Sequence, residues 1–375
     1  MGNLELILEK HTERIHHGLE VLPTLRHGVP EGLGNKRWTS ELILATYEQA
    51  LTGEIPENGL EYKTGNSGGG FDVLGWKRHE GVAKVDEDSV DLSISLNKRH
   101  EGRRIEIPLP IYGGGMSFGS ISLNFMIARA RAARKLETFT STGEGGYPDQ
   151  IVPYRDHVIT QVATGMFGVR EETIQYAPIV EFKYAQGAKP GLGGHLLADK
   201  VTSEVAKMRE SSMFTSLYSP FPFHSVYSVE DHKKHVDWIK TVNPRALVSV
   251  KVSTPTDVDM VAIGSYYAGA NIIQIDGGYG GTGAAPEIAK KNIAMPVEYA
   301  IPKVHEYLVS EGVRERITLM ASGGIRTADD VAKAIALGAD GCVIGTAEAV
   351  AVGCTHCGNC ERGRGCQVGI TTTDP

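Results

Sequence analysis

From Ile105 onward the chain repeats one pattern. A short apolar run ends in glycine or a polar residue, and a stretch with helical spacing usually follows. The runs are IPLPIYGGG (107–115), TFTSTGEGG (138–146), VITQVATG (158–165), IVEFKYAQG (179–187), LVSVKVS (247–253), IIQIDGG (272–278), ITLMASGG (317–324) and GCVIGT (341–346). Between them lie helical stretches such as Ile121–Lys135, with Ile121, Phe125, Ala128 and Ala132 on one face. Another is Thr327–Leu337, with Thr327 as N-cap and Asp330 in its acidic first turn. Eight buried strands alternating with helices predict parallel pairing and a closed (β/α)8 TIM barrel of the α/β class. The fourth and fifth strands are joined by roughly sixty residues, and a loop of that length at a barrel mouth carries function.

Residues 1–104 lack this rhythm and read as an extension that wraps or caps the barrel of residues 105–352. Leu4–Leu19 and Ser40–Leu51 have helical spacing, and Val90–Leu96 alternates like a strand. The glycine-rich stretch Thr64–Asp72 reads as a flexible loop, because a phosphate loop would end in Lys-Ser/Thr and follow an apolar strand. Net charge is −7, which argues against nucleic acid or an acidic membrane as the main partner. The basic runs Lys98-Arg99-His100 and Arg103-Arg104 read as a solvated face or hairpin. No signal peptide and no apolar stretch of about 18 residues is present, so a cytoplasmic, reducing setting is expected. Cys342, in an apolar run, reads as a packing residue.

Chemistry in such barrels sits at the C-terminal ends of the strands. The seventh strand ends in Ser322-Gly323-Gly324 and the eighth in Gly345-Thr346, each before a helix; bare N–H groups there suit a phosphate. Lys251 lies inside the fifth apolar run, where a lysine needs an anionic partner: the pyrimidine edge of a reduced flavin, or a neighbouring strand end such as Asp276. Gly115, Met116 and Ser117 end the first strand, Gln161 offers an amide on the third, and Gly280 and Gly281 follow the sixth. A glycine-lined mouth of this kind suits an isoalloxazine ring and a small substrate.

These stretches resemble the FMN-binding synthase domain of glutamate synthase. The matching segments include MSFGSIS, TGEGGYP, ITQVATGMFGV, KYAQGAKPGLGGHL, DGGYGGTGAAP, SGGIRTADDV and AVAVGC, in order over roughly 105–369. The resemblance implies a barrel that binds FMN and an iron–sulfur cluster and reduces 2-iminoglutarate, formed from 2-oxoglutarate and ammonia, to L-glutamate. It places Glu144, Lys183, Lys189 and Arg209 around the 2-oxoglutarate. Glu144, Lys189 and Lys251 are then the candidate catalytic groups, and Lys183, His195 and Arg209 the candidate substrate grips, since a dicarboxylate needs at least two cations. The chain departs from the family at GLGGH, where GEGGQ is usual, so Leu192 and His195 bear on substrate identity.

Four of the five cysteines fall within Cys354–Cys366. The family arrangement is C-x5-C-x4-C around a [3Fe-4S] cluster; here Cys354, Cys360 and Cys366 approximate it with one more residue in the second gap. Cys357 gives C-x2-C-x2-C-x5-C, close to [4Fe-4S] spacing. Four thiolates also suit zinc; a redox cofactor next door favours iron–sulfur. Residues 353–375 are thus the expected cluster segment. No cysteine precedes Cys342, and no dinucleotide fingerprint or glycine-rich solenoid is present. Ammonia and electrons are therefore expected from partners: a glutaminase or amidotransferase-like subunit, a glycine-rich solenoid-like subunit, and a ferredoxin or reductase subunit. The alternatives are the large subunit of N-methylglutamate synthase, which joins methylamine to glutamate with release of ammonia, and a non-catalytic electron-transfer subunit. A barrel of the IMP dehydrogenase kind would need a catalytic cysteine in the sixth loop.

Overall fold

In this computed structural model an antiparallel pair, β1 (Ile94–Ser95) and β2 (Glu106–Ile107), leads into the barrel. The structure describes residues 34–35, 37–54, 70–77, 81, 85–219, 223–281, 285–286, 288–290, 292–360 and 365–374. The barrel strands are β3 (Ile111–Gly113), β4 (Thr140–Ser141), β5 (Val158–Ala163), β6 (Ile179–Lys183), β9 (Leu247–Ser253), β10 (Ile272–Asp276), β11 (Thr318–Ser322) and β12 (Gly341–Ile344). Each of the eight apolar runs supplies one strand. They pair in parallel in the order β3-β12-β11-β10-β9-β6-β5-β4. A bridge between Gly115 and Ser141 and a 2.8 Å bond from the Gly113 N–H to the Phe139 carbonyl join the two ends, so the sheet closes.

Alternate residues of each strand point inward, and what they carry changes with height. At the floor Leu96, Ile107, Tyr112, Ile159, Ile179, Leu247, Ile272 and Met320 pack as one buried apolar cluster. One layer up Gln161, Glu181 and Ser249 stand in register. The Gln161 amide donates to Glu181 at 2.7 Å and the Ser249 hydroxyl to the other Glu181 oxygen at 2.9 Å. Above them Lys183 and Lys251 are in register, and at the rim Asp276 aligns with Ser253 and Ser322. The apolar floor contributes about 1.5–3 kcal/mol per large side chain, which offsets the cost of burying charge above it.

Outside the barrel, the helix Leu123–Lys135 starts where Ser122 accepts from the Phe125 N–H, and the helix Ala328–Ala336 where Thr327 accepts from Asp330. The helix Ser40–Thr52 of the extension packs Trp38, Leu42 and Ile43 against Val350 of the helix Thr346–Ala351. The extension is also held by charge. Arg326 donates to Asp72 at 2.9 Å and to Asp330 at 3.0 Å, with all three side chains at most 3% exposed. It also donates to the Arg37 carbonyl at 3.0 Å.

Several expectations need correction. Of Val90–Leu96 only Ile94–Ser95 is a strand, because Val90 and Leu92 are exposed and have no apolar surface to cover. The basic run is a hairpin, but Arg99 turns inward and donates to the carbonyls of Ala270 and Tyr266, and Lys98 pairs with Asp340. Gly70–Asp72, the end of the stretch read as a flexible loop, belongs to a 3-10 turn (Gly70–Val73) with Phe71 buried; residues 64–69 lie outside the described residues, as does Leu4–Leu19. The long fourth-to-fifth connection contains an unforeseen hairpin, β7 (Gly194–Leu196) with β8 (Leu217–Ser219). Cys342 is fully buried. No helix among the described residues is long and apolar enough to cross a membrane.

Arg326→Ala leaves two buried carboxylates without their cation. It is expected to lower unfolding free energy by about 3–5 kcal/mol in urea titrations; a loss below about 1 kcal/mol would show that the clamp is not a source of stability.

Candidate active site

At the C-terminal ends of the strands lies a cavity of about 1070 Å³. Its lining gathers residues from every sequence stretch singled out above: Gly115, Met116, Ser117, Glu144, Gln161, Lys183, Lys189, His195, Arg209, Lys251, Gly280, Gly281, Gly323, Gly324, Gly345, Thr346 and all four clustered cysteines.

Glu144 is the focus of one half. Lys183 Nζ lies 2.6 Å from its Oε1, with the two side chains only 10% and 13% exposed. Burial alone would raise the Glu144 carboxyl, but Lys183, Arg209 and Lys189 together hold it below its ordinary value. Gly194 lets the hairpin pass: a Cβ there would fall 1.6 Å from Glu144 Oε1. Arg209 is buried and donates through Nη2 to Ser117 Oγ at 3.0 Å and to the Phe118 carbonyl at 2.9 Å. Its Nε has no acceptor within the described residues, and burial pulls the guanidinium down to about 10 despite Glu144. Lys189 is also buried, and its Nζ lies 3.2 Å from His195 Nδ1. His195 in turn leans on Tyr218 of the paired strand. The histidine that departs from the usual glutamine therefore positions a lysine.

The other half is bare backbone. Gly323 and Gly324 have φ of +94° and +102°, and a Cβ on Gly323 would sit 2.5 Å from the Gly277 carbonyl. A Cβ on Gly281 would meet Thr346 Oγ1 at 2.1 Å. Gly345 starts the following helix without a side-chain cap. Lys251 stands 3.6 Å from Asp276. Asp276 is committed elsewhere: it accepts from the Gly187 N–H at 2.8 Å and from Ser322 Oγ at 2.7 Å. Of the two partners foreseen for Lys251, the strand-end carboxylate Asp276 is the one this structure contains. Gln161 lines the cavity while its amide N–H is donated to Glu181.

The cysteines line the far side. Burial pushes the Cys354 thiol up to about 11 and raises Cys360, and each also feels the neighbouring thiols. Among the described residues no three His, Cys, Asp or Glu side chains form a ready metal-binding group, so the thiols share a cavity wall without a preformed coordination sphere. His356, between two of them, adopts a left-handed φ of 58°. Its ring lies 2.8 Å from the Asn35 amide and stacks on Trp38.

Sequence reasoning missed the residues that reach this cavity from the extension. Arg37 lies over the Tyr279 ring at 3.4 Å, and Asn35, Trp38 and Phe71 line the wall. It also missed Glu298, whose buried Oε2 has no partner among the described residues and whose carboxyl is raised by burial. Lys200, 2% exposed, donates to the carbonyls of Ser120 and Cys360, both at 3.1 Å, and burial brings it down to about 8. None of these stands at the end of a barrel strand, which is the only place where strand rhythm points to chemistry.

Comparison with known proteins gives one consistent result. The family described as "Conserved region in glutamate synthase" matches residues 77–375. An archaeal-type glutamate synthase (NADPH) of Thermotoga neapolitana is 42% identical over 299 residues, 80% of this chain and 58% of the relative. One from Dehalococcoides mccartyi is 37% identical over 363 residues, 91% of this chain and 71% of the relative. The glutamate synthase (NADH) of Saccharomyces cerevisiae is 37% identical over 276 residues, 72% of this chain but 13% of the relative. The chain thus spans a little over half the length of the Thermotoga relative.

The ion pair of Glu144 sets a pH dependence. A carboxylate held below its unfolded value, about 4.3 for Glu, adds stability at higher pH that is lost as pH falls through the folded value. Lys183→Met removes the nearest cation. Its stability deficit in urea should be largest near pH 7 and shrink as pH falls below the ordinary carboxylate range and Glu144 takes up a proton; a deficit independent of pH would contradict this electrostatic assignment.

Proposed function

The chain belongs to the glutamate synthase family, and from that premise we propose that it is an FMN- and iron–sulfur-dependent catalytic subunit that aminates 2-oxoglutarate reductively to L-glutamate. The overall change consumes 2-oxoglutarate, ammonia, two electrons and two protons and releases glutamate and water, with 2-iminoglutarate between. One observation carries the reading. Glu144 faces three cations, Lys183, Lys189 and Arg209, in a cavity that also takes in the glycine turns Gly280-Gly281 and Gly323-Gly324. Ammonium and guanidinium groups gathered on one acidic side chain suit a dicarboxylate, which offers each end a charge-assisted hydrogen bond.

The residues fit the expected cofactors. The Gly323-Gly324 turn has no room for side chains and exposes N–H groups for the FMN phosphate, with the Gly345-Thr346 turn beside it. Lys251 offers a cation for the N1–O2 edge of the ring, and Gln161, Met116 and the loop Gly280-Gly281 line the space for its body. An iron–sulfur cluster would draw its ligands from the four thiols that line the cavity, Cys354, Cys360 and Cys366 at the positions the family resemblance implies, with Cys357 beside them. When bound, FMN supplies two-electron reduction of an imine carbon and the cluster supplies it with single electrons.

Arg209, whose Nε has no partner among the described residues, and Lys183 grip the two carboxylates, and Lys189, held by His195, orients the carbonyl end. Glu144, kept ionised by its cations, accepts a proton from incoming ammonium and returns one to the imine nitrogen. The extension of residues 1–104 closes the wall over the phosphate turn and the thiols through Arg37 and Trp38. Ammonia comes from a glutaminase-like subunit docked with a glycine-rich solenoid-like one, in the cytoplasm. Electrons come from NADPH through a reductase subunit, or from ferredoxin; the NADPH route follows the naming of the relatives.

Anaerobically reconstituted protein given dithionite-reduced carrier, 2-oxoglutarate and ammonia should form glutamate. Formation of N-methylglutamate from methylamine and L-glutamate with no reductant consumed would move the chain to the N-methylglutamate branch, and silence in both would leave a non-catalytic subunit. Glu144→Gln should cut turnover about 10²–10⁴-fold with FMN content unchanged. Gly323→Ala should instead lose FMN, read by absorbance of the purified protein; full FMN occupancy in that variant would rule out the proposed phosphate turn.

A further inference from the structure

Lys200 is almost wholly buried, and its two acceptors carry no formal charge: the carbonyls of Ser120 and Cys360. Burying an ammonium costs several kcal/mol unless negative charge stands nearby. The two acceptors belong to different walls of the cavity. Ser120 ends the loop that holds Met116 and Ser117 against the flavin space, and its hydroxyl lies 3.0 Å from Ser117 Oγ. Cys360 is the third of the clustered thiols. Lys200 therefore ties the loop carrying Ser117 to the loop carrying the thiols, with its ammonium on the backbone of a thiol-bearing residue.

The fold holds it there. Its backbone lies in a 3-10 turn, Ala198–Lys200, just past the strand Gly194–Leu196 that closes over Glu144. The turn is followed by the helix Ser203–Arg209, whose last residue is Arg209. One short segment thus supplies a cation to the substrate side and another to the thiol side.

We propose that Lys200 is a positioning residue that sets the reduction potential of the thiol-bound centre and its register with the flavin loop. This rests on the reading that the four thiols hold an iron–sulfur cluster. Such a cluster is negatively charged, and taking up one electron adds one more negative charge. A buried cation beside it stabilises the reduced form and raises the potential. Lys200 touches neither substrate nor the reacting atoms, and its effect passes through the centre it flanks.

The test uses the full chain, reconstituted anaerobically, as wild type, Lys200→Met and Lys200→Arg. Iron, sulfide and FMN content are measured, and the cluster is titrated with dithionite under electron paramagnetic resonance. Lys200→Met is expected to keep iron and FMN but reduce at a more negative potential, and Lys200→Arg to stay close to wild type. Loss of iron from Lys200→Met alone, with Lys200→Arg intact, also supports a charge held at the thiol loop. An unmoved potential in Lys200→Met with iron retained overturns the inference, as does loss of iron from both variants, which would mark a packing role. Wild-type protein that takes up no iron and sulfide overturns the cluster reading itself and this inference with it.

Discussion

Buried charge is the constraint on which this structure depends. A barrel interior is a place where an ion needs a counter-ion. Here the interior carries Glu181 one layer above an apolar floor, then Lys183, Lys251 and Asp276 at the rim, with Glu144, Lys189 and Arg209 brought in by loops. Each carboxylate is paired or hydrogen-bonded, yet the cations around Glu144 outnumber it three to one. The charge is therefore concentrated at one end of the barrel, around the cavity.

The rest of the fold serves that arrangement. The floor packs tightly enough to carry the charged layers. The long connection after the fourth strand folds back as a hairpin, so that Gly194 passes against Glu144 and His195 steadies Lys189. The extension is fixed through Arg326 and its two carboxylates, and Arg37 and Phe71 from it line the cavity. Trp38 and Asn35, from the same extension, meet His356 between the thiols. The Gly323-Gly324 turn, the cations around Glu144 and the four thiols therefore line one cavity.

The barrel was legible because apolar runs of strand length, each closed by glycine or a polar residue, recur eight times, and this rhythm also marks the strand ends. Lys251, Gln161 and the Gly323-Gly324 turn could be named for that reason. Glu144, Lys183, Lys189 and Arg209 were legible mainly through the family resemblance; position alone does not separate them from surface charges. Arg37, Glu298 and Lys200 left no sequence signal. Their roles arise from tertiary contacts, a cation over Tyr279, a carboxyl oxygen without a partner, a lysine between two carbonyls, that no local pattern encodes. Arg99 misled in the same way, since a basic run looks the same whether or not one member turns inward.

The central claim, that the cations around Glu144 recognise a dicarboxylate beside a flavin, is tested most directly by ligand titration of the FMN-loaded protein. The flavin absorbance spectrum is followed while 2-oxoglutarate and, separately, the monocarboxylate 2-oxobutyrate are added. The account predicts a saturable change with 2-oxoglutarate, and binding at least about tenfold weaker for 2-oxobutyrate, because one buried cation then loses its charged partner. Equal affinity for the two acids, or no flavin response to either, would contradict it.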